Sequence, residues 1–194
     1  MNNVYFGSDW HFSKFVRQTR SMKYNYVRSK DILSKYKKMI KNENDIFIFL
    51  GDLSYIGKKN TKNINECIEQ IKYLPGKKIM VKGNHDASSD KMYRQLGFDY
   101  VTPKLEIGSC IFTHKPDEIS GEQINIHGHI HGSETYLYVE SYNHADVYTG
   151  QFFNYPIKLE PLLYNGRFID KVMVNDEYIS QLKRDINKFV EELL

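Results

Sequence analysis

Residues 46–50, Ile-Phe-Ile-Phe-Leu, restrict the fold of this chain more than any other stretch. The run is continuously apolar from Asp45 onward and stops at Gly51-Asp52. Such a run reads as a strand buried on both faces, which needs a covered sheet rather than one with a wet side. Val4-Tyr5-Phe6, ending at Gly7-Ser8-Asp9, reads as a strand of the same kind. So does Lys78 to Lys82 (K-I-M-V-K), ending at Gly83-Asn84-His85-Asp86. Between them lie helical stripes. Ser29 is placed to cap a helix carrying Ile32, Leu33, Tyr36, Met39 and Ile40. Ile64, Cys67, Ile68 and Ile71 form a second stripe, ended by Pro75-Gly76. Ser88 to Leu96 is a short helix stopped by Gly97.

Strand and helix alternating in this way imply a parallel sheet with helices on its faces. From about Tyr100 the pattern changes. Leu105 to Ile107, Ser109 to Thr113 and Gln123 to Ile126 read as strands with short connections. Thr135 to Leu159 is aromatic-rich and strand-like, with one long loop around Asn143 to Gly150. The tail, 176–194, is helical, with Ile179, Leu182, Ile186, Phe189 and Leu193 on one stripe. The fold class expected is α/β: a single domain over residues 1–194, built as a two-sheet β-sandwich flanked by α-helices, αββα in four layers.

At 194 residues the chain is long enough to bury a substantial core. A net charge of +3 is too mild to argue nucleic-acid binding by itself. Cys67 and Cys110 each sit in an apolar pattern far apart in sequence, so buried free thiols in a reducing compartment are expected. Met1-Asn2-Asn3-Val4 shows no charged stretch leading into an apolar run, so no signal peptide is expected, and residues 46–50 are too few to span a bilayer. The expected location is cytoplasmic, with no membrane contact.

The chain has 7 histidines, and His127, His129 and His131 fall within one short segment. Neutral imidazole is the commonest side-chain metal ligand. Further ligand types stand where open α/β sheets build their sites, beyond the carboxyl ends of strands. They are Asp9 and His11 after the first strand, Asp52 after the second, Asn84, His85 and Asp86 after the third, and His114 after Ser109–Thr113. This set suits borderline divalent ions such as Mn²⁺, Fe²⁺, Ni²⁺ or Zn²⁺. It suffices for two of them, with Asp52 as the natural bridge. Two divalent ions carry about +4 and the two aspartates return only about −2, which leaves a site suited to an anion and to activated water.

In order and spacing, Asp9-Trp10-His11, Gly51-Asp52, Gly83-Asn84-His85-Asp86, His114 and Gly128-His129-Ile130-His131 resemble the calcineurin-like metallophosphoesterases. Asn154-Tyr155-Pro156-Ile157 resembles the closing strand of that family. The resemblance implies a dinuclear centre in which one ion takes Asp9, His11, Asp52 and His131 and the other takes Asp52, Asn84, His114 and His129. It implies two divalent ions as cofactors, with Mn²⁺ first and Fe²⁺, Ni²⁺ or Zn²⁺ as alternatives. His85 would act on the leaving oxygen or the phosphate, and Asp86 would orient His85. His127 matches no ligand position and is expected to be a hydrogen-bonded structural residue. His144 is expected in a solvated polar loop.

Lys14, Arg17 and Arg20 directly follow the first ligand pair. They would grip a phosphate or an acidic substrate; the alternative is a solvated basic loop. Tyr136, Tyr138 and Tyr142 are expected to pack a sheet, with stacking on bases as the alternative. The tail stripe is expected to pack on its own domain, the alternative being a homodimer through the C-terminal helix. Family protein phosphatases carry Asp-Arg-Gly soon after the second block and Glu after Asn-His. Here Leu53-Ser54-Tyr55-Ile56-Gly57 follows Asp52, and Asp86 replaces the Glu. The expected activity is therefore phosphodiester hydrolysis by a hydroxide held between two metals. A phosphomonoesterase acting on a nucleotide or small phosphate, and a non-catalytic partner-binding scaffold, are the alternatives. The partner expected is a phosphoester substrate, with nucleotide and nucleic acid among the candidates.

Overall fold

In the computed structural model, which describes residues 2–12, 22–54, 62–131, 143–164, 168–169 and 174–193, the apolar run lies inside a five-stranded sheet. Strands β1 (Val4–Gly7), β2 (Ile46–Phe49), β3 (Lys77–Val81) and β4 (Tyr100–Thr102) are parallel. The short β9 (Ile157–Lys158) closes the other edge antiparallel to β1, so the order is β4-β3-β2-β1-β9. Side chains alternate faces along a strand, so each strand feeds two cores. Val4, Phe6, Ile46, Ile48, Leu50, Ile79 and Val81 join one cluster. Tyr5, Phe47, Phe49 and Met80 join the other. Neither face meets water, which is why these runs are uninterrupted.

The first cluster is completed by a second sheet. Its strands are β5 (Leu105–Ile107), β6 (Cys110–Thr113), β7 (Ile124–His127), β8 (Asn143–Asp146) and β10 (Phe168–Ile169), in the order β10-β8-β7-β6-β5. The middle three are parallel and the two edges antiparallel. Phe6 stacks on Phe112 across the sandwich, centroids 5.8 Å apart. The second cluster is completed by helices. Ile32 and Tyr36 come from α1 (Met22–Met39), Ile64, Cys67 and Ile68 from α2 (Lys62–Glu69), and Tyr93 from α3 (Asp90–Gln95). Helices α4 (Leu159–Tyr164) and α5 (Asp176–Leu193) seat Leu159, Leu162, Leu163, Ile179, Leu182, Ile186 and Val190 on the inter-sheet cluster. Two mixed sheets flanked by helices is the expected class. Both cysteines are buried and free. No described helix is long and apolar enough to cross a membrane.

Several local expectations differ. Ser29 does not cap α1; it lies buried inside a helix already running at Met22, because residues 22–28 contain no Gly or Pro to stop it. Residues 143–146 form β8 rather than a loop. In its sequence, Asn-His-Ala-Asp, Ala145 joins the inter-sheet cluster while His144 joins a buried hydrogen-bonded layer. There His144 is buried, with its Nδ1 3.1 Å from the Asn125 Oδ1. Asn125 donates from its Nδ2 to the Ile111 carbonyl at 3.0 Å and to Thr113 Oγ1 at 2.9 Å. On α5 the buried stripe continues to Val190, while Leu193 at the frayed end is 36% exposed. Phe189 meets Tyr100 edge-on. Tyr136, Tyr138 and Tyr142 lie outside the described residues.

Phe6 is fully buried where the sheets meet. Phe6→Ala should cost about 3–5 kcal/mol of stability, read from denaturant unfolding with unchanged slope.

Candidate metal centre

Every parallel strand of the two sheets that carries a candidate ligand delivers it at its carboxyl end. Asp9 and His11 follow β1, Asp52 follows β2, Asn84 and His85 follow β3, His114 follows β6, and His129 and His131 follow β7. The backbone there is unusual. Asp9, His11, Asp52, His129 and His131 all have left-handed φ, at 56°, 46°, 58°, 71° and 53°. Non-glycine residues in that region are uncommon, and clusters of them mark functional sites.

The strain is held by the packing around it. Trp10, between Asp9 and His11, is fully buried against Phe12, Tyr36, Phe47 and Phe49. With Trp10 anchored in the helix-side core, its two neighbours are carried to the opposite side. The segment also pairs with the Asp52 loop. Asp9 N donates to the Gly51 carbonyl (2.9 Å), His11 N to Asp52 O (3.0 Å) and Phe12 N to Leu53 O (3.1 Å). Arg28 of α1 donates to the carbonyls of Asp9 and Trp10.

Two groups of ligand atoms converge. In the first, Asp9, His11 and His131 offer atoms that all lie within 4.8 Å of one another; in the second, Asp52, His114 and His129 do the same. His131 Nε2 is 3.0 Å from Asp9 Oδ1 and 3.3 Å from His11 Nε2. His114 Nε2 is 3.2 Å from His129 Nδ1 and 3.1 Å from Asn84 Oδ1. Asp52 reaches both groups, with Oδ2 3.5 Å from His11 Nε2 and Oδ1 3.4 Å from His114 Nε2.

These spacings fit divalent ions. Ligand atoms about 2.1 Å from one ion stand about 3.0 Å apart at right angles and about 3.4 Å apart in a tetrahedron. Imidazole nitrogens this close with no shared proton repel, whereas a cation between them does not.

Both carboxylates, Asp9 and Asp52, are held in the charged form that a cation requires. Burial alone would raise the Asp9 carboxyl, but hydrogen bonds from His11, His131 and Ser8 outweigh it and hold Asp9 anionic. Asp52 is likewise lowered, against its burial, chiefly by His114. His129 is shifted down, chiefly by burial, which favours the neutral imidazole that a metal needs. His114, against its burial, is shifted up by Asp52 and Asp9, so an ion there must displace a proton. His114 Nδ1 lies 2.8 Å from the Leu50 carbonyl. A carbonyl only accepts, so Nδ1 carries the proton and Nε2 faces the cluster.

Other candidates take other positions. His85 lies at the rim, Nε2 3.8 Å from Asp52 Oδ2, and its backbone N donates to Asp52 Oδ1 at 2.9 Å. The Asp86 carboxylate accepts from the backbone N–H groups of Asp52 (2.7 Å), Leu53 (3.0 Å) and Gly83 (2.8 Å). It ties the second ligand loop to the third. Burial pushes it up to about 6 against those hydrogen bonds. His127 is buried, bonds its Nδ1 to the Gly128 carbonyl at 2.9 Å, and is pushed down to about 4 by burial. Lys14, Arg17 and Arg20 lie outside the described residues. Sequence reasoning overlooked Ser8, whose hydroxyl donates to Asp9 Oδ2, and the His129 N–H, which donates to the same oxygen at 3.0 Å. Ser8 stands beside Asp9 in the chain, but nothing in its identity signals the contact.

Of Gly51, Gly83 and Gly128, which stand beside the candidate ligands, only Gly51 has a positive φ, +86°. Gly83 is needed for close approach: a Cβ there would stand 2.3 Å from Asp52 Oδ1 and 2.5 Å from Asp52 N. Gly83→Ala should displace that carboxylate, cost about 1–3 kcal/mol of stability and weaken metal uptake. Thermal unfolding with and without Mn²⁺ checks both effects.

A family model of calcineurin-like phosphoesterases matches residues 3–185. Two solved structures share the fold. A protein of unknown function from Aquifex aeolicus is 23% identical, covering 85% of this chain and 100% of its own, with a TM-score of 0.64. The nuclease MPE of Pseudomonas putida is 18% identical, covering 66% of this chain and 61% of its own, with a TM-score of 0.50. No curated protein sequence matches significantly. The family match runs from the start of β1 into α5 and takes in every strand end that carries a candidate ligand, so this protein belongs to the calcineurin-like phosphoesterases, metal-dependent hydrolases of phosphoester bonds.

Proposed function

We propose that the protein hydrolyses a phosphodiester using two divalent ions, with Mn²⁺ the first choice. Asp9, His11, Asp52 and His131 would hold one ion, and Asp52, Asn84, His114 and His129 the other. The observation that carries this reading is the Asp52 carboxylate, whose two oxygens face the two groups separately. When bound, such a pair supplies Lewis acidity and water activated for attack on phosphorus. The protein's own part is to hold Asp9 and Asp52 anionic and His129 neutral, and to fix the imidazoles. His85, with its side chain 28% exposed beside Asp52, is placed at the rim to donate to the leaving oxygen or to the phosphate.

A diester is favoured because the Asp-Arg-Gly arginine of the monoester-cleaving phosphatases is missing after Asp52. A diester carries one negative charge fewer and has less need of such a clamp. Initial rates on bis(p-nitrophenyl) phosphate and p-nitrophenyl phosphate, with added Mn²⁺, test the choice. The diester should be cleaved faster; a monoester rate well above the diester rate would reverse it. A nuclease shares the fold, so nucleic acid is a natural diester to follow.

A further inference from the structure

We propose that Tyr148 is a positioning residue that holds the His131 imidazole in its ligand orientation, in place of the outer hydrogen bond a metal-bound histidine ordinarily makes. The inference rests on the two-ion reading above. A ligating histidine usually donates its second N–H to a carboxylate, carbonyl or water, which fixes the ring. His114 follows that rule through the Leu50 carbonyl. His131 does not. Its Nε2 faces Asp9 and His11, and among the described residues nothing accepts from its Nδ1. Its side chain is also the more exposed, at 38% against 10% for His11 and 3% for His114. An exposed imidazole with one tether is free to rotate away from an ion.

The Tyr148 ring removes that freedom. It stacks on His131 with centroids 4.6 Å apart and planes 16° from parallel. Tyr148 follows β8 and is itself fixed to the segment that carries Asp9. Its backbone bridges to Ser8 in parallel fashion, and its N–H donates to Asp146 Oδ1 at 3.0 Å. The next residue adds two bonds: Thr149 N donates to Ser8 O at 3.3 Å, and Ser8 N donates to Thr149 Oγ1 at 3.1 Å. The ring lies on bare backbone at Gly150, where a Cβ would stand 2.3 Å from Tyr148 Cζ and Oη. A residue with a side chain at 150 would lift the ring off its seat. The stack also gains when an ion is present. A metal withdraws charge from the imidazole, and the phenol face carries the negative side of its quadrupole.

Calorimetric titration of Mn²⁺ into the metal-stripped full chain separates the outcomes. Wild type should take up two ions. Tyr148→Ala should weaken one of them about 10–100-fold and leave the other unchanged. Tyr148→Phe, which keeps the ring and loses only the hydroxyl, should bind like wild type. Gly150→Ala keeps Tyr148 but removes its seat and should reproduce the one-ion loss, which covers the case of a Tyr148→Ala protein that does not fold. Unchanged affinities in Tyr148→Ala or Gly150→Ala overturn the proposal. So does a Tyr148→Phe protein as weak as Tyr148→Ala, or equal weakening of both ions. A wild type that binds fewer than two ions overturns the two-ion reading itself, a result distinct from these.

Discussion

Asp52→Asn should lower kcat/KM on any phosphoester substrate by at least about 10³-fold, beyond the 10–100-fold typical of losing an outer partner of a metal ligand. The substitution keeps shape and removes charge. Asp52 Oδ1 accepts from the His85 N–H at 2.9 Å and lies 3.4 Å from His114 Nε2, while Oδ2 lies 3.5 Å from His11 Nε2. An amide keeps one acceptor oxygen but turns an NH₂ toward one of the two groups. That NH₂ cannot ligate a cation, so the shared ligand is lost from one side whichever way the amide lies. Asp52 is buried against Gly83, so the isosteric amide should fold, and circular dichroism alongside the rates separates lost chemistry from lost structure.

Stripping the metals should lower the melting temperature by about 10–20 °C. An ion that binds only the folded chain, supplied at about a hundredfold over its Kd, adds about 2.7 kcal/mol. Two such ions add about 5 kcal/mol, and for a chain of this size each kcal/mol moves the midpoint by about 2–4 °C. The local structure gives a reason for the dependence. Five candidate ligands stand in left-handed backbone, a conformation that costs of order 1 kcal/mol or more per residue. In the apo chain only hydrogen bonds and packing offset that cost. Calorimetric scans with Mn²⁺ and with chelator give the shift directly; identical midpoints would mean that no ion binds the folded chain.

The gathering of candidate ligands at strand ends was legible because two independent constraints coincide in them. An uninterrupted apolar run marks a strand covered on both faces, and the polar residues that end it stand where such sheets place their sites. Residues 46–52 show both within seven positions. What escaped reading depends on contacts distant in sequence. Strand β8 is polar on the face that meets the Asn125 layer, and the apolar positions, Ala145 and, just past its end, Val147, are too few and too small to mark a strand. For the same reason His144 read as a loop residue and Tyr148 carried no signal. Asp86 sits beside His85 in sequence, yet its carboxylate turns to the Asp52 loop, whose closeness to β3 appears only in three dimensions. Ser29 misled because a capping residue type also fits a buried helix interior.

Equilibrium dialysis against Mn²⁺, followed by metal analysis of wild type and Asp52→Asn, is the most direct test of the shared carboxylate. Two ions per wild-type chain and at most one in Asp52→Asn is the expected result. One ion in wild type, or two retained with unchanged affinity in Asp52→Asn, would contradict a centre joined by Asp52.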